Sequence, residues 1–145
     1  MRMLDVNVLI YAHREDAHPE HHRYLDWLTA LATGHEPWAL TPMVISGLVR
    51  IVTNKRFFTR PSTLAEVFAF TDALVERRSC RIVNPSTAHL PIFRELCDQV
   101  GASGKLVADA YHAAVAIEHG CVWVSTDADF SRFPDLRYEH PLAPR

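Results

Sequence analysis

The sequence predicts a three-layer α/β fold: a mostly parallel sheet of four or five strands with helices on both faces. Three observations carry this. Short β-rich runs alternate with longer stretches of helical apolar spacing, the pattern of parallel strands joined by crossover helices. The runs themselves are short, Met1 to Asp5 reading as a buried strand and Cys121 to Ser125 as an alternating, β-rich one, and strands alternating with helices imply a parallel sheet covered on both faces. Finally, 145 residues with 48% hydrophobic content suffice for a core of ordinary size, so residues 1–145 are expected to form a single domain.

Met1 to Asp5 reads as a short buried strand, closed by Asp5. Val6 to His13 turns at once into a helix, with Asn7 as a possible cap. From Pro19 to about Thr33, residues Tyr24, Leu25, Trp27, Leu28 and Leu31 recur at helical spacing, and Gly34 is a stop. Trp38 to Leu40 forms a second strand. Thr41 and Pro42 make a cap and first turn for a helix to about Thr53, followed by a basic loop over Asn54 to Arg60. Pro61, Ser62 and Thr63 open another helix, ending near Arg78, which offers Leu64, Val67, Phe68, Leu74 and Val75 to the core. Arg81 to Val83 is a third strand. Helices over Thr87 to Val100 and Lys105 to His119 flank the glycines of GASG, and Gly120 ends the second. Cys121 to Ser125 is a fourth strand and Leu136 to Tyr138 a possible fifth.

Composition excludes several classes. A formal charge of −2 argues against a strongly basic nucleic-acid coating while leaving room for a local basic patch. Three widely spaced cysteines form no C-x-x-C pair, so neither a disulfide framework nor a zinc knuckle is expected, and a reducing cytoplasm fits. The N-terminal apolar run is too short and too polar for a signal peptide or membrane span. GASGKL lacks the glycine spacing of a phosphate loop and has Leu106 where magnesium would need a hydroxyl.

The chemistry lies in four aspartates, each interrupting an apolar stretch: Asp5 in MLDVNVLI, Asp109 in LVADAYHAAVA, and Asp127 with Asp129 in WVSTDADF. A carboxylate set against a core is costly unless it is paired or bound to a metal, so four of them ask for a common explanation. Asp5 and Asp127 fall at the carboxyl ends of predicted strands, where sites of open α/β sheets gather. Mg²⁺ and Mn²⁺ favour such hard oxygen ligands. Each acid also has a plainer reading: Lys105, one turn before Asp109, can pair with it on the surface, Asp5 can accept backbone amides, and Asp127 or Asp129 can cap DADFSRF. His18, His21 and His22 read as a solvated helix face, and His112 as a partly buried histidine rather than a ligand. The loop NKRFFTR interleaves Lys55, Arg56 and Arg60 with Phe57 and Phe58, either as a phosphate-and-stacking surface for single-stranded nucleic acid or as a solvated loop with its phenylalanines turned inward.

With those residues in view, nearly the whole chain resembles PIN-domain ribonucleases, specifically VapC-type toxins of bacterial toxin–antitoxin pairs. The likeness rests on LDVNVLIYA, TPMVISGLVRIVTNKRFF, LVADAYHAAVAIEHG and, most specific, VSTDADFSRFPDLRYEHPL. It implies a PIN-like fold and Mg²⁺- or Mn²⁺-dependent endonucleolytic hydrolysis of RNA. Asp5 and Asp109 would be principal ligands, Asp127 would share ligation, Asp129 would act through water or on the nucleophile, and Ser125 would support the site. It further implies a homodimer and a cognate VapB-type antitoxin. One departure stands out: Gly47, preceded by Ser46, takes the place of a glutamate usual in the family, which puts a tightly held second metal in doubt. It also leaves open a non-catalytic module that binds RNA or a protein without cutting.

Overall fold

A computed structural model describes residues 1–144. Five strands, β1 (Arg2–Leu4), β2 (Trp38–Leu40), β3 (Cys80–Ile82), β4 (Val122–Val124) and β5 (Tyr138–Glu139), form one sheet in the order β3-β2-β1-β4-β5, every neighbouring pair parallel. Six helices connect and cover it: α1 (Val6–His13), α2 (His21–Thr33), α3 (Pro42–Val52), α4 (Leu64–Val75), α5 (His89–Val100) and α6 (Lys105–Glu118). Helix α1 packs on α2 and α3, and α3 on α4, while α5 and α6 pack on each other, giving the three layers.

Chain order and spatial order together place the site. The chain steps outward from β1 through β2 to β3, then returns to the other side of β1 as β4 and β5. The order therefore reverses between β1 and β4, and the crevice beyond the carboxyl ends of these two strands is the topological switch point at which open α/β sheets bind ligands. Asp5 follows β1 and Ser125 to Asp129 follow β4, tied across by Asp5 N–H donating to the Val124 carbonyl at 2.9 Å.

The core on the two faces of the sheet is dominated by Met3, Leu4, Trp38, Leu40, Trp123 and Val124, all fully buried, with Tyr24, Leu28, Leu48 and Phe130 from the covering elements. Local signals act as expected at α3, where Thr41 Oγ1 accepts from Val44 N–H at 3.1 Å and Pro42 occupies the first turn.

Several expectations are corrected. Asn7 does not cap α1: Asp5 does, its Oδ1 accepting from Val6 N–H at 2.7 Å. Helix α2 begins at His21 rather than Pro19, and α5 at His89 rather than Thr87. At α5 the preceding residues are held in a turn by Ser86, which bonds both Ala88 N–H and the Glu118 carboxylate. Strand β3 lies one residue earlier than expected, and β5 starts at Tyr138, with Leu136 buried ahead of it. His18 and His21 are not a solvated face. His18 packs against Tyr11 and Tyr24, and His21 Nδ1 bonds the Tyr11 carbonyl at 2.7 Å. On α4 only Val67 and Leu74 of the five apolar candidates enter the core, joined by Thr71. Leu64, Phe68 and Val75 are exposed, and their spacing puts them on one helical stripe.

Candidate metal centre

Asp5 sits where β1 ends and α1 begins, buried, and three donors hold its carboxylate. Ser125 Oγ donates to Oδ2 at 2.6 Å, Asn7 Nδ2 to the same oxygen at 3.2 Å, and Val6 N–H to Oδ1. Burial nonetheless pushes the Asp5 carboxyl up to about 6, with Asp109 and Asp127 adding to the rise against the lowering effect of Ser125 and Val6. Ser125 is fully buried and fully used. Its single hydroxyl proton goes to Asp5, and its oxygen accepts from Asp127 N–H at 3.0 Å and from Asn7 Nδ2 at 3.2 Å. Asn7 completes the clasp, its Oδ1 accepting from Thr126 N–H at 3.2 Å.

Asp109 projects from the second turn of α6 and is buried. Asp127 is half-buried and caps the 3₁₀ turn Ala128–Arg132, its Oδ1 accepting from Asp129 N–H at 2.9 Å. Oxygens of Asp109, Asp127 and the exposed Asp129 all lie within 4.8 Å of one another. The structure thus brings three of the four sequence-predicted acids into one group, with Asp5 beside it, linked to Asp127 through Ser125. Both sequence readings of Asp109 hold at once: it points inward, and Lys105 pairs with it. Lys105 Nζ donates to Asp109 Oδ2 at 3.2 Å and to Asp127 Oδ2 at 2.6 Å. Burial raises the Asp109 carboxyl despite that ammonium. Asp127 is also raised by burial, but Lys105 and the Asp129 amide outweigh this and hold it low. Lys105 in turn is pushed up to about 12, chiefly by Asp127.

The donor set fits a hard divalent cation: it offers oxygens only, clustered at a spacing that inner-sphere ligands of one ion can adopt, and a cationic group already rests on two of them. Two contributors escaped the sequence. Asn7 was legible only as a possible helix cap, and the reach of Lys105 to Asp127 had no local signal. Gly47 lies on α3 facing Val6, whose Cγ2 would stand 3.6 Å from an added Cβ, an ordinary van der Waals contact. In the basic loop, Phe57 is 59% exposed while Phe58 is half-buried beneath the Arg14 guanidinium, 4.3 Å from its ring centre. Phe58 is thus turned inward beneath a cation–π contact, while Phe57 points to solvent. No helix among the described residues is long and apolar enough to cross a membrane.

Carboxylates thus gather beyond the β1/β4 switch point of a parallel α/β sheet, where open sheets of this class hold their sites. The chain belongs to the PIN domain family, whose model matches residues 2–136. It is 41% identical to ribonuclease VapC31 of Mycobacterium tuberculosis, over 97% of this chain and 99% of that one. It is 42% identical to ribonuclease VapC43 of the same organism, over 98% and 96%. Among solved structures it resembles VapBC2 from Rickettsia felis, bound to a promoter DNA fragment (TM-score 0.69, 22% identity, covering 96% of this chain and 97% of that one). It also resembles VapBC-1 from nontypeable Haemophilus influenzae (TM-score 0.70, 14% identity, 98% of each). At these identities the structural likeness speaks for the fold.

Proposed function

We propose that this chain is a metal-dependent endoribonuclease toxin that hydrolyses RNA phosphodiester bonds in the cytoplasm and is restrained by a cognate VapB-type antitoxin. The observation that carries the reading is the convergence of Asp109, Asp127 and Asp129 beside Asp5, in a chain about two-fifths identical along its length to proteins named VapC ribonucleases.

Asp5, Asp109 and Asp127 would hold Mg²⁺ or Mn²⁺, with Asp129 at the exposed edge. The bound ion would supply a nucleophilic water near neutral pH and charge stabilisation for the phosphodiester. The chain's own residues do the rest. Ser125 and Asn7 fix the Asp5 carboxylate so that it need not reorganise, and Ser125 also anchors the backbone of Asp127. Asp129, with its side chain open to solvent, would act through water or on the nucleophile. Lys55, Arg56 and Arg60, all exposed, with Phe57 projecting among them, offer phosphate contacts and a stacking face for an unpaired base. The exposed stripe of Leu64, Phe68 and Val75 on α4 is apolar surface suited to a protein partner, either the antitoxin or a second copy in a homodimer.

A second reading, a module that binds RNA or protein without cutting, is favoured by Gly47, which leaves the site one carboxylate short of the family pattern. Incubating total RNA with the purified chain and Mg²⁺, and mapping new ends, separates the two. Wild type is expected to cleave and Asp5→Asn to lose at least about a hundredfold in rate, whereas equal behaviour of the two, cutting or not, rejects the nuclease assignment to these acids.

A further inference from the structure

We propose that Lys105 is a built-in counter-ion of the acidic cluster, and that a divalent cation enters the cluster only by displacing its ammonium group. The inference rests on the metal-dependent reading above and concerns what that reading leaves unexplained, namely why a lysine lies across the carboxylates.

Lys105 is the first residue of α6, the end at which a helix dipole disfavours positive charge, and Gly104 before it provides no side-chain cap. Its position is therefore set by the acids and not by the helix. The ammonium spans Asp127 Oδ2 at 2.6 Å and Asp109 Oδ2 at 3.2 Å, joining a residue one turn along its own helix to one on the far side of β4. These two residues belong to the same group of three carboxylates that can converge on one ion. Inner-sphere oxygen contacts to Mg²⁺ are about 2.1 Å, so an ion sharing either oxygen with the ammonium would put two positive centres within about 5 Å. The arrangement favours one cation at a time.

The lysine is also built to leave. Its side chain is 68% exposed, against 10% for Asp109 and 28% for Asp127. A four-carbon stem lets the ammonium move into water with little loss of packing. In the metal-free protein the contact offsets the mutual repulsion of Asp109, Asp127 and Asp5. The same contact raises the metal concentration needed for occupancy, so this chain should load its metal less readily than an otherwise identical one with a neutral residue at 105.

Calorimetric Mn²⁺ binding to the metal-free full chain, without RNA, together with melting curves, tests this. Lys105→Gln should bind Mn²⁺ about tenfold more tightly than wild type and melt at a lower temperature without metal. Lys105→Arg, which keeps the charge, should bind within about threefold of wild type and provides a folded comparison should the glutamine variant unfold without metal. Equal or weaker Mn²⁺ binding by Lys105→Gln, or tenfold tighter binding by Lys105→Arg, would overturn the displacement model while leaving the metal site intact. Absence of Asp109-dependent Mn²⁺ binding in wild type and variants alike would instead remove the metal-dependent reading itself, and this inference with it.

Discussion

Asp5 and Ser125, 120 residues apart in the chain, are joined by a hydrogen bond of 2.6 Å between the buried Ser125 hydroxyl and the Asp5 carboxylate. That bond crosses from β1 to β4 at the switch point, so the step that closes the sheet also assembles the site. Ser125→Ala leaves Asp5 Oδ2, Asp127 N–H and Asn7 Nδ2 each short of one partner. It should cost about 1–3 kcal/mol in urea denaturation. A denaturation midpoint equal to that of wild type would show that the clasp contributes little.

Burial lifts the folded-state pKa of Asp109 above the ordinary carboxylate value in spite of Lys105. A raised carboxyl pKa means that the charged form weakens the fold. Asp109→Asn should therefore stabilise the metal-free chain and abolish the Tm rise expected of wild type with Mg²⁺, a stabilisation of about 2.7 kcal/mol at a hundred times Kd. Equal metal-induced shifts in the two proteins would remove Asp109 from the ligand set.

Acid should weaken the fold partly through His112, which stacks on Trp123 and whose buried Nδ1 has no hydrogen-bond partner among the described residues. Burial lowers its pKa from 6.5 to about 4. The unfolded chain therefore takes up this proton first. The contribution is complete above pH 6.5 and is lost as pH falls towards 4, reaching roughly 3 kcal/mol in all. Asp5, raised to about 6, acts oppositely: between pH 6 and 3.8 the folded chain is the one that takes up its proton, so acidification there favours folding. Denaturation followed from about pH 7.5 down to about pH 5 should show a steeper loss on acidification for wild type than for His112→Phe. Superimposable pH profiles would contradict this account of the histidine.

Sequence alone revealed much of this because the informative signals were local. Apolar runs marked the strands, Thr41 and Pro42 marked the start of α3, and acids at strand ends marked the site. What it hid was tertiary. The spacing of Leu64, Phe68 and Val75 announces an apolar stripe but not whether core or partner covers it, and they proved to be outside the core. Asn7, beside a helix start, has the chemistry of a cap, yet the cap is Asp5 and the amide is spent bridging β1 to β4. Lys105 is one helical turn from Asp109, a relation visible in the chain, but its shorter contact is to Asp127, 22 residues away.

The environment of Gly47 is permissive: an added Cβ meets only an ordinary contact with Val6. Glycine inside a helix weakens it by roughly 0.5–1 kcal/mol relative to alanine. Gly47→Ala should raise stability by about that amount with RNA cleavage unchanged within twofold. Destabilisation would mean that the α1–α3 contact is tighter than 3.6 Å implies.

The central claim, that Asp5, Asp109, Asp127 and Asp129 serve one divalent cation, is tested most directly by anomalous diffraction from crystals of the chain grown with Mn²⁺. The expected result is a manganese peak within inner-sphere reach of Asp109 and Asp127 oxygens, absent from the Asp109→Asn crystal. Manganese elsewhere on the surface, or none at millimolar Mn²⁺ with the four carboxylates ordered, would contradict it.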